Sequence, residues 1–554
     1  MWTRAPFLSL VVIGALLVAA LQCSSMSQYE VTCNHGLEDC KVTLGAKTAD
    51  SIAWGSVDTD SSMVTGWAYF DVEVARGGSV PDENKAYAAG FAEGFLTASM
   101  ISNYWPSSQS SSFNLTSSEP VPEPVAQFIH ANLQWMREGV EKNPRSPYWR
   151  RVQLVLAQLE GMVEGYKAAA TKDMFKLGIV EFMTFQMNGD LEAVNARLNV
   201  TAMPDVNSWS QERLILHFLK STHCSAMVQR TKSGNIYFGH TTWDVYSSML
   251  RCIKKYNLPY TDPFGAAYGA DVVIFSSTPA FLSSVDDYYL LSSGIAVTET
   301  TNGQFNPALI AEITPESMMS WMRVVVCNAA VTSAKDWVTC FEGHNSGTYD
   351  NQWIILQNNA GGLHLWIAEQ IPGYVESAEI THVLDNEGGW YSYNRPYFPK
   401  IFNMSLFNVM EAKYGSFWNW EQCPRSQVFR RIVGPMVAKT DTMTAAKTAM
   451  RYNHWATDPE SLGNACLSVS SRCDLAPLSP NPNIYELRSP LGGIDSKITD
   501  LEGLKKMEFW AQEGPTHDTQ PPFEWSTEYE YMPHLGQPNR VEFGWELFGE
   551  NMRA

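Results

Sequence analysis

The sequence predicts an α+β protein in which helices cover packed sheets, and three observations carry that reading. Helix-period apolar patterns crowd the chain before residue 223. From Cys224 onward the texture changes to short runs rich in β-branched and aromatic residues, separated by Gly, Asn and Pro. The two textures are segregated instead of alternating as βαβ units, and no internal repeat or heptad array interrupts them. The expected division is a signal segment at residues 1–24, a helix-rich part at 25–223 and a strand-rich catalytic part at 224–554.

Taken in order, Arg4 and the apolar run at residues 6–21 read as an export signal, with cleavage expected near Cys23. That run is short for a membrane span, and no later stretch reaches about 18 apolar residues, so no integral span is expected in the mature protein. After a polar, cysteine-closed stretch, residues 66–74 read as a strand. Residues 84–104 follow as a helix, with Ala88, Phe91, Phe95 and Ala98 at helical spacing and Pro106 as its stop. Residues 107–124, rich in Ser and Pro, predict an exposed loop. Helical patterns resume at 125–142, 148–170 and 175–188. Glu93 and Glu164 lie inside such patterns and read as packed or solvated helix positions in preference to an acid–base pair.

Beyond Cys224, strands are predicted at 268–277, 288–292, 295–300, 353–357 and 363–369, with helices at 245–256, 315–326 and 442–451. The tail from Asp474 to Ala554 combines Pro, Gly, Trp and acidic residues, and its aromatics suggest a segment wrapped on the core surface.

Composition narrows the function. A chain of 554 residues with 45% hydrophobic and 12% aromatic content can fill a sizeable core. A formal net charge of -19 argues against nucleic acid and against docking on anionic lipid, and it suits an acidic compartment. Ten cysteines fit an exported protein. Short separations make Cys33 with Cys40, and Cys466 with Cys473, candidate bridges, and no paired Cys-x-x-Cys cluster speaks for zinc. The sequons at Asn114, Asn199 and Asn403 fit a glycosylated lumenal or secreted protein. No phosphate loop, His-Glu-x-x-His or Gly-x-Ser-x-Gly stands where an ATPase, a zincin or a serine lipase needs it.

The organising stretch is Thr222-His223-Cys224-Ser225-Ala226-Met227-Val228, in which a thiol stands between a helix-like and a strand-like run. The thiolate is the nucleophile, and an ordinary cysteine pKa of about 8.5 calls for an activating base. Scission before Cys224 would supply one, an α-amine with a pKa of about 7.7 to 8.0. Free cysteine is also among the most buried residue types, so the spacing alone fits a core thiol as well.

A longer set of strings resembles the phospholipase B-like proteins, lysosomal and secreted members of the amino-terminal-nucleophile hydrolase superfamily. They are Cys224-Ser225-Ala226, His240-Thr241-Thr242-Trp243, Val285-Asp286-Asp287-Tyr288-Tyr289-Leu290-Leu291, Glu299-Thr300-Thr301-Asn302, Asn345-Ser346-Gly347-Thr348-Tyr349, Ser392-Tyr393-Asn394-Arg395-Pro396 and Met450-Arg451-Tyr452-Asn453, in one order. The resemblance implies a four-layer αββα fold and a precursor cut between His223 and Cys224 into two associated chains. His223 departs from the smaller residue expected before the cut.

By resemblance, Cys224 is the nucleophile, His240 orients the freed amine or helps proton transfer, and Trp243 lines the site, with Asp244 second-rank as an amine partner. Thr301 and Asn394 are the expected oxyanion donors, with Thr300 as the alternative to Thr301. Arg431 is expected to position the site or bind a substrate anion, with Arg430 as its alternative. The implied activity is hydrolysis of acyl bonds in lipid-like substrates, with partners limited to a lipid or N-acyl small molecule and the protein's own N-terminal fragment. An amidase on N-acyl lipids or peptides and a catalytically idle lipid-binding or scaffold protein are the alternatives. No cofactor and no metal are implied.

Overall fold

The computed structural model describes residues 26–33, 37–201, 203–476, 488–526 and 528–549. The expected signal segment and Cys23 lie outside the described residues. Two large sheets dominate a mixed α+β architecture. One has 11 strands in the order Tyr374–Glu379, Gly362–Ile371, Asn351–Asn359, Ile295–Thr301, Tyr288–Leu291, Val272–Ser277, Arg251–Asn257, Trp67–Val74, Ala53–Asp58, Ser27–Cys33 and Cys40–Leu44. The other has six, in the order Gly389–Ser392, Ser225–Arg230, Ile236–Val245, Leu491–Asp500, Phe509–Glu513 and Glu546–Phe548.

The strand reading of residues 288–292 and 295–300 holds for a simple reason. Tyr289, Leu291 and Val297 pack into the core under the helices, while Tyr288, Leu290 and Ala296 pack into the core shared with the smaller sheet. A strand buried on both faces reads as a continuous apolar run. The sheets meet where Phe238, tilted, and Phe509, edge-on, pack against Tyr288, whose hydroxyl donates to the Phe238 carbonyl at 3.0 Å. On the smaller sheet's opposite face, Thr241 Oγ1 donates to the carbonyl of Met450, the last residue of helix Met443–Met450.

The helices Asp82–Leu96 and Pro147–Ala169 cross at unusually close range because glycine faces backbone. A Cβ at Gly161 would stand 2.0 Å from the Tyr87 carbonyl oxygen, and one at Gly94 would stand 2.0 Å from that of Met162. Absence of a side chain there lets the two backbones touch.

Several expectations are corrected. The helix expected over 84–104 ends at Leu96, and a second helix, Ala98–Phe113, runs through Pro106, so the expected loop at 107–124 begins as helix. Tyr104 and Trp105 pack against Phe185, and this burial outweighs a mid-helix proline cost of about 3 kcal/mol. Residues 245–256, expected as helix, form a short turn at Tyr246–Ser248 and then the strand Arg251–Asn257. The tail is no surface wrap alone, since Leu491–Asp500 is an interior strand of the smaller sheet. The helix-rich first part contributes four strands to the larger sheet.

Disulfides join Cys33 with Cys40 and Cys466 with Cys473, as spacing suggested, and Cys327 with Cys340, which spacing did not single out. Cys224, Cys252 and Cys423 are free and buried. Asn114, Asn199 and Asn403 are all exposed. Glu93 is a packed core residue, ion-paired with Lys254 at 2.7 Å, while Glu164 pairs with Lys167 at the surface.

Candidate active site around Cys224

Helix Gln211–Ser221 starts at Ser210, whose hydroxyl accepts from the Arg213 N–H at 3.3 Å, and it buries Leu214, Phe218 and Leu219. Its end delivers the chain to Cys224, one residue before the strand Ser225–Arg230. Ala226 is the register partner of His240. Alternation therefore puts Cys224, Ala226 and His240 on one face of the smaller sheet. Cys224 is buried and has φ +83°, the left-handed region that a side chain disfavours. Such backbone costs on the order of 1–3 kcal/mol and persists only where surroundings impose it.

The surroundings here grip the preceding carbonyl. The His223 oxygen accepts from the Thr301 N–H at 3.2 Å and from Asn394 Nδ2. Thr301 ends the strand Ile295–Thr301 of the larger sheet, and Asn394 follows Gly389–Ser392 of the smaller one, so each sheet provides one donor. Thr301 acts through its backbone, whereas the Thr300 hydroxyl is turned to Ser392 Oγ at 2.6 Å. This separates two residues that the sequence left interchangeable. The His223 ring is itself tied down, its Nδ1 lying 2.8 Å from the Trp243 carbonyl oxygen.

Arg425, which the sequence reading missed, organises this geometry. Its Nη1 donates to the Cys224 carbonyl at 2.7 Å, its Nη2 donates to Asn394 Oδ1, and its guanidinium lies 4.0 Å from the Trp243 ring centre. Holding Asn394 Oδ1 in this way turns Nδ2 toward the His223 oxygen. Trp243 is anchored through Nε1 to the Val469 carbonyl at 3.0 Å. Arg431 is not brought here: its side chain is 66% exposed and paired with Glu460. Arg430 is likewise outside, paired with Glu387. The arginine whose side chain reaches Cys224 is therefore Arg425, and neither Arg430 nor Arg431 does.

His240 is fully buried, its Nε2 has no hydrogen-bond partner, and burial, then Lys497, hold its pKa well below the ordinary value. Glu299, in the string Glu299-Thr300-Thr301-Asn302, has no role implied by the resemblance. One of its carboxylate oxygens, Cys224 Sγ and one His240 ring nitrogen all lie within 4.8 Å of one another. The Tyr349 hydroxyl donates to Glu299 Oε1 at 3.2 Å, and Oε2 has no hydrogen-bond partner. Burial, then Asp287 and Asp286, hold this carboxyl well above the usual carboxylate range. Burial also pushes the Cys224 thiol up, so the thiol of the uncut chain needs a proton acceptor. Cys, His and Glu are also donors that zinc uses.

The site opens into a cavity of about 420 Å³, within the range of small-molecule sites. His223, Cys224, Trp243, Asp244 and Thr301 line it together with apolar Leu191, Met203, Phe281 and Ile310. Asp244 uses one carboxylate oxygen to accept the Val245 N–H at 2.7 Å.

A family model described as Phospholipase B matches residues 53–548. The chain belongs to the phospholipase B family. Phospholipase B-like protein B of Dictyostelium discoideum is 36% identical over 501 residues, covering 88% of this chain and 84% of that protein. Phospholipase B-like protein A of the same organism is 34% identical over 509 residues, covering 88% and 87%. The phospholipase B family match includes every residue of the site described above, from His223 to Val469. Among the described residues, no helix is long and apolar enough to cross a membrane.

Proposed function

We propose that this chain is a lysosomal or secreted acyl hydrolase with the four-layer αββα arrangement of amino-terminal-nucleophile hydrolases, matured by scission of its own His223–Cys224 bond. One observation carries the reading: the carbonyl just before Cys224 already rests on two hydrogen-bond donors, the Thr301 N–H and Asn394 Nδ2. This is the geometry an oxyanion needs when a thiol attacks that carbon. Attack by Cys224 Sγ forms a carbon–sulfur bond and places the negative charge on the His223 oxygen. Collapse breaks the carbon–nitrogen bond, and water then hydrolyses the thioester to leave the His223 carboxylic acid and a free Cys224.

In the mature protein the same donors would receive the oxyanion of a substrate, with the Cys224 α-amine as base and His240 beside it. Names of the relatives point to phospholipids, and the partly apolar cavity suits an acyl group. An amidase is the second reading, favoured by one fact: the carbonyl now held by the two donors is an amide. Export is supported by three disulfides and by exposed asparagines in all three sequons.

The test is the amino-terminal sequence of the fragments formed by the purified protein at acid pH. A new chain starting at Cys224, absent in Cys224→Ala, is expected, and a start elsewhere overturns the assignment. Matched ester and amide substrates, read by the mass added to Cys224, then decide between the first two readings. Lipid binding without turnover, unchanged in Cys224→Ala, would leave only a binding protein.

A further inference from the structure

Resting on that self-scission, one question is left open by the amine-as-base mechanism. In the uncut chain the Cys224 nitrogen is an amide and accepts no proton, so the first cut needs another acid and base. We propose that His240 and Glu299 work as a pair on the His223–Cys224 bond, His240 taking the thiol proton and Glu299 giving a proton to the departing Cys224 nitrogen.

Geometry selects these two. Each lies within 4.8 Å of Cys224 Sγ, is fully buried and carries an atom with no hydrogen-bond partner, Nε2 of His240 and Oε2 of Glu299. Asp286 is engaged by Lys497 and Arg251 at 2.6 Å each, which removes it and both cations from the proton path. The environments of the pair are driven apart, His240 toward the neutral base and Glu299 toward the neutral acid. Such divergence is how a site divides acid and base roles between neighbouring groups. The groups acting on the pair are Asp286, Asp287, Lys497, Arg251, Tyr349 and the Cys224 thiol itself.

The protons balance. The thiol hydrogen moves to His240 as the carbon–sulfur bond forms, and the Glu299 hydrogen moves to nitrogen, directly or through one water, as the carbon–nitrogen bond breaks. Imidazolium then returns its proton to the Glu299 carboxylate, and both groups are restored.

The experiment is the rate of scission of folded precursor as a function of pH, in wild type, Glu299→Gln, Glu299→Asp and Cys224→Ala. Wild type should slow as pH rises through the Glu299 pKa. Glu299→Gln should cut about 10²- to 10⁴-fold more slowly, the usual contribution of general acid–base catalysis, and should lose that alkaline decline. Glu299→Asp, which keeps an acid, should cut at an intermediate rate and keep the decline. Scission of Glu299→Gln within threefold of wild type, with the same pH profile, overturns the proposal while leaving the nucleophile reading intact. If Glu299→Gln does not fold, Glu299→Asp decides, and loss of its alkaline decline overturns the pair. Scission of Cys224→Ala would instead overturn the underlying mechanism.

Discussion

Substituting Asn394 by glycine isolates one oxyanion donor. Asn394 itself has φ +75°, so alanine would add backbone strain on the order of 1–2 kcal/mol, while glycine adopts this conformation freely. What Asn394→Gly removes is the Nδ2 donor to the His223 oxygen, the acceptor for Arg425 Nη2, and a 2.7 Å hydrogen bond to the Thr301 carbonyl. Leaving buried groups unpaired costs roughly 1–3 kcal/mol each in stability, so the fold should weaken measurably. The effect on chemistry is separate, because of these contacts only the Nδ2 bond reaches the oxygen of the carbonyl under attack. Loss of one such donor typically slows reaction by about 10²- to 10³-fold, equivalent to about 2.7–4 kcal/mol in the barrier. The assay is a gel time course of precursor scission, counting only protein that is folded by near-ultraviolet circular dichroism. The Thr301 N–H remains, so residual scission should persist above the Cys224→Ala background. Scission of folded Asn394→Gly within threefold of wild type would refute the oxyanion role.

Arg425→Lys keeps a charge but loses the fork that holds the Cys224 carbonyl and Asn394 together, so scission should slow at least about tenfold, whereas Arg431→Ala should stay within about 0.5 kcal/mol of wild type in stability and cut normally. Gly161→Ala pushes a Cβ to 2.0 Å from the Tyr87 carbonyl and should cost about 1–3 kcal/mol, read as a lower urea midpoint. Burial raises the Glu369 carboxyl from 4.5 to about 7, despite donors from Tyr397, Gln352 and Phe398. The folded state then binds the extra proton, so stability is highest below about pH 4.5 as far as this group is concerned and falls by about 3 kcal/mol as pH rises through 7. Glu369→Gln should flatten that decline in urea titrations at several pH values, and an unchanged slope would contradict it.

Elements that bury apolar side chains were legible in the sequence, and elements that bury charge were not. The strand Arg251–Asn257 looked helical because its polar residues broke the expected pattern, yet Arg251 and Lys254 are both buried, answered by Asp286, Asp495 and Glu93. Leu491–Asp500 escaped for the same reason, since its centre carries Asp495 and Lys497, paired with each other at 2.5 Å. Sequence carries no mark of partners as far along the chain as Glu93 is from Lys254, Asp495 from Arg251 or Asp286 from Lys497. Cys224, His240 and Asn394 were proposed from the resemblance, which left Thr300 and Thr301 interchangeable until the structure showed which backbone N–H faces the His223 oxygen. Arg425 was missed because it shares its stretch with Arg430 and Arg431, and only the direction of a side chain tells the inward guanidinium from the two at the surface.

The same architecture would let the chain be cut at the proposed His223–Cys224 bond and stay whole. Among the described residues, those before Cys224 share a core with strands and helices that follow it. Trp67–Val74 lies parallel to Arg251–Asn257 over seven register pairs in the interior of the larger sheet, and the helices Asp82–Leu96 and Pro147–Ala169 cover that sheet. The bond at issue joins the end of helix Gln211–Ser221 to the start of Ser225–Arg230, so breaking it disrupts neither element. It would release the left-handed backbone at Cys224, which the intact chain must hold at a cost. Strain at the proposed link, with strands paired on either side of it, would let a cut relax the nucleophile without loosening the sheets that aim it.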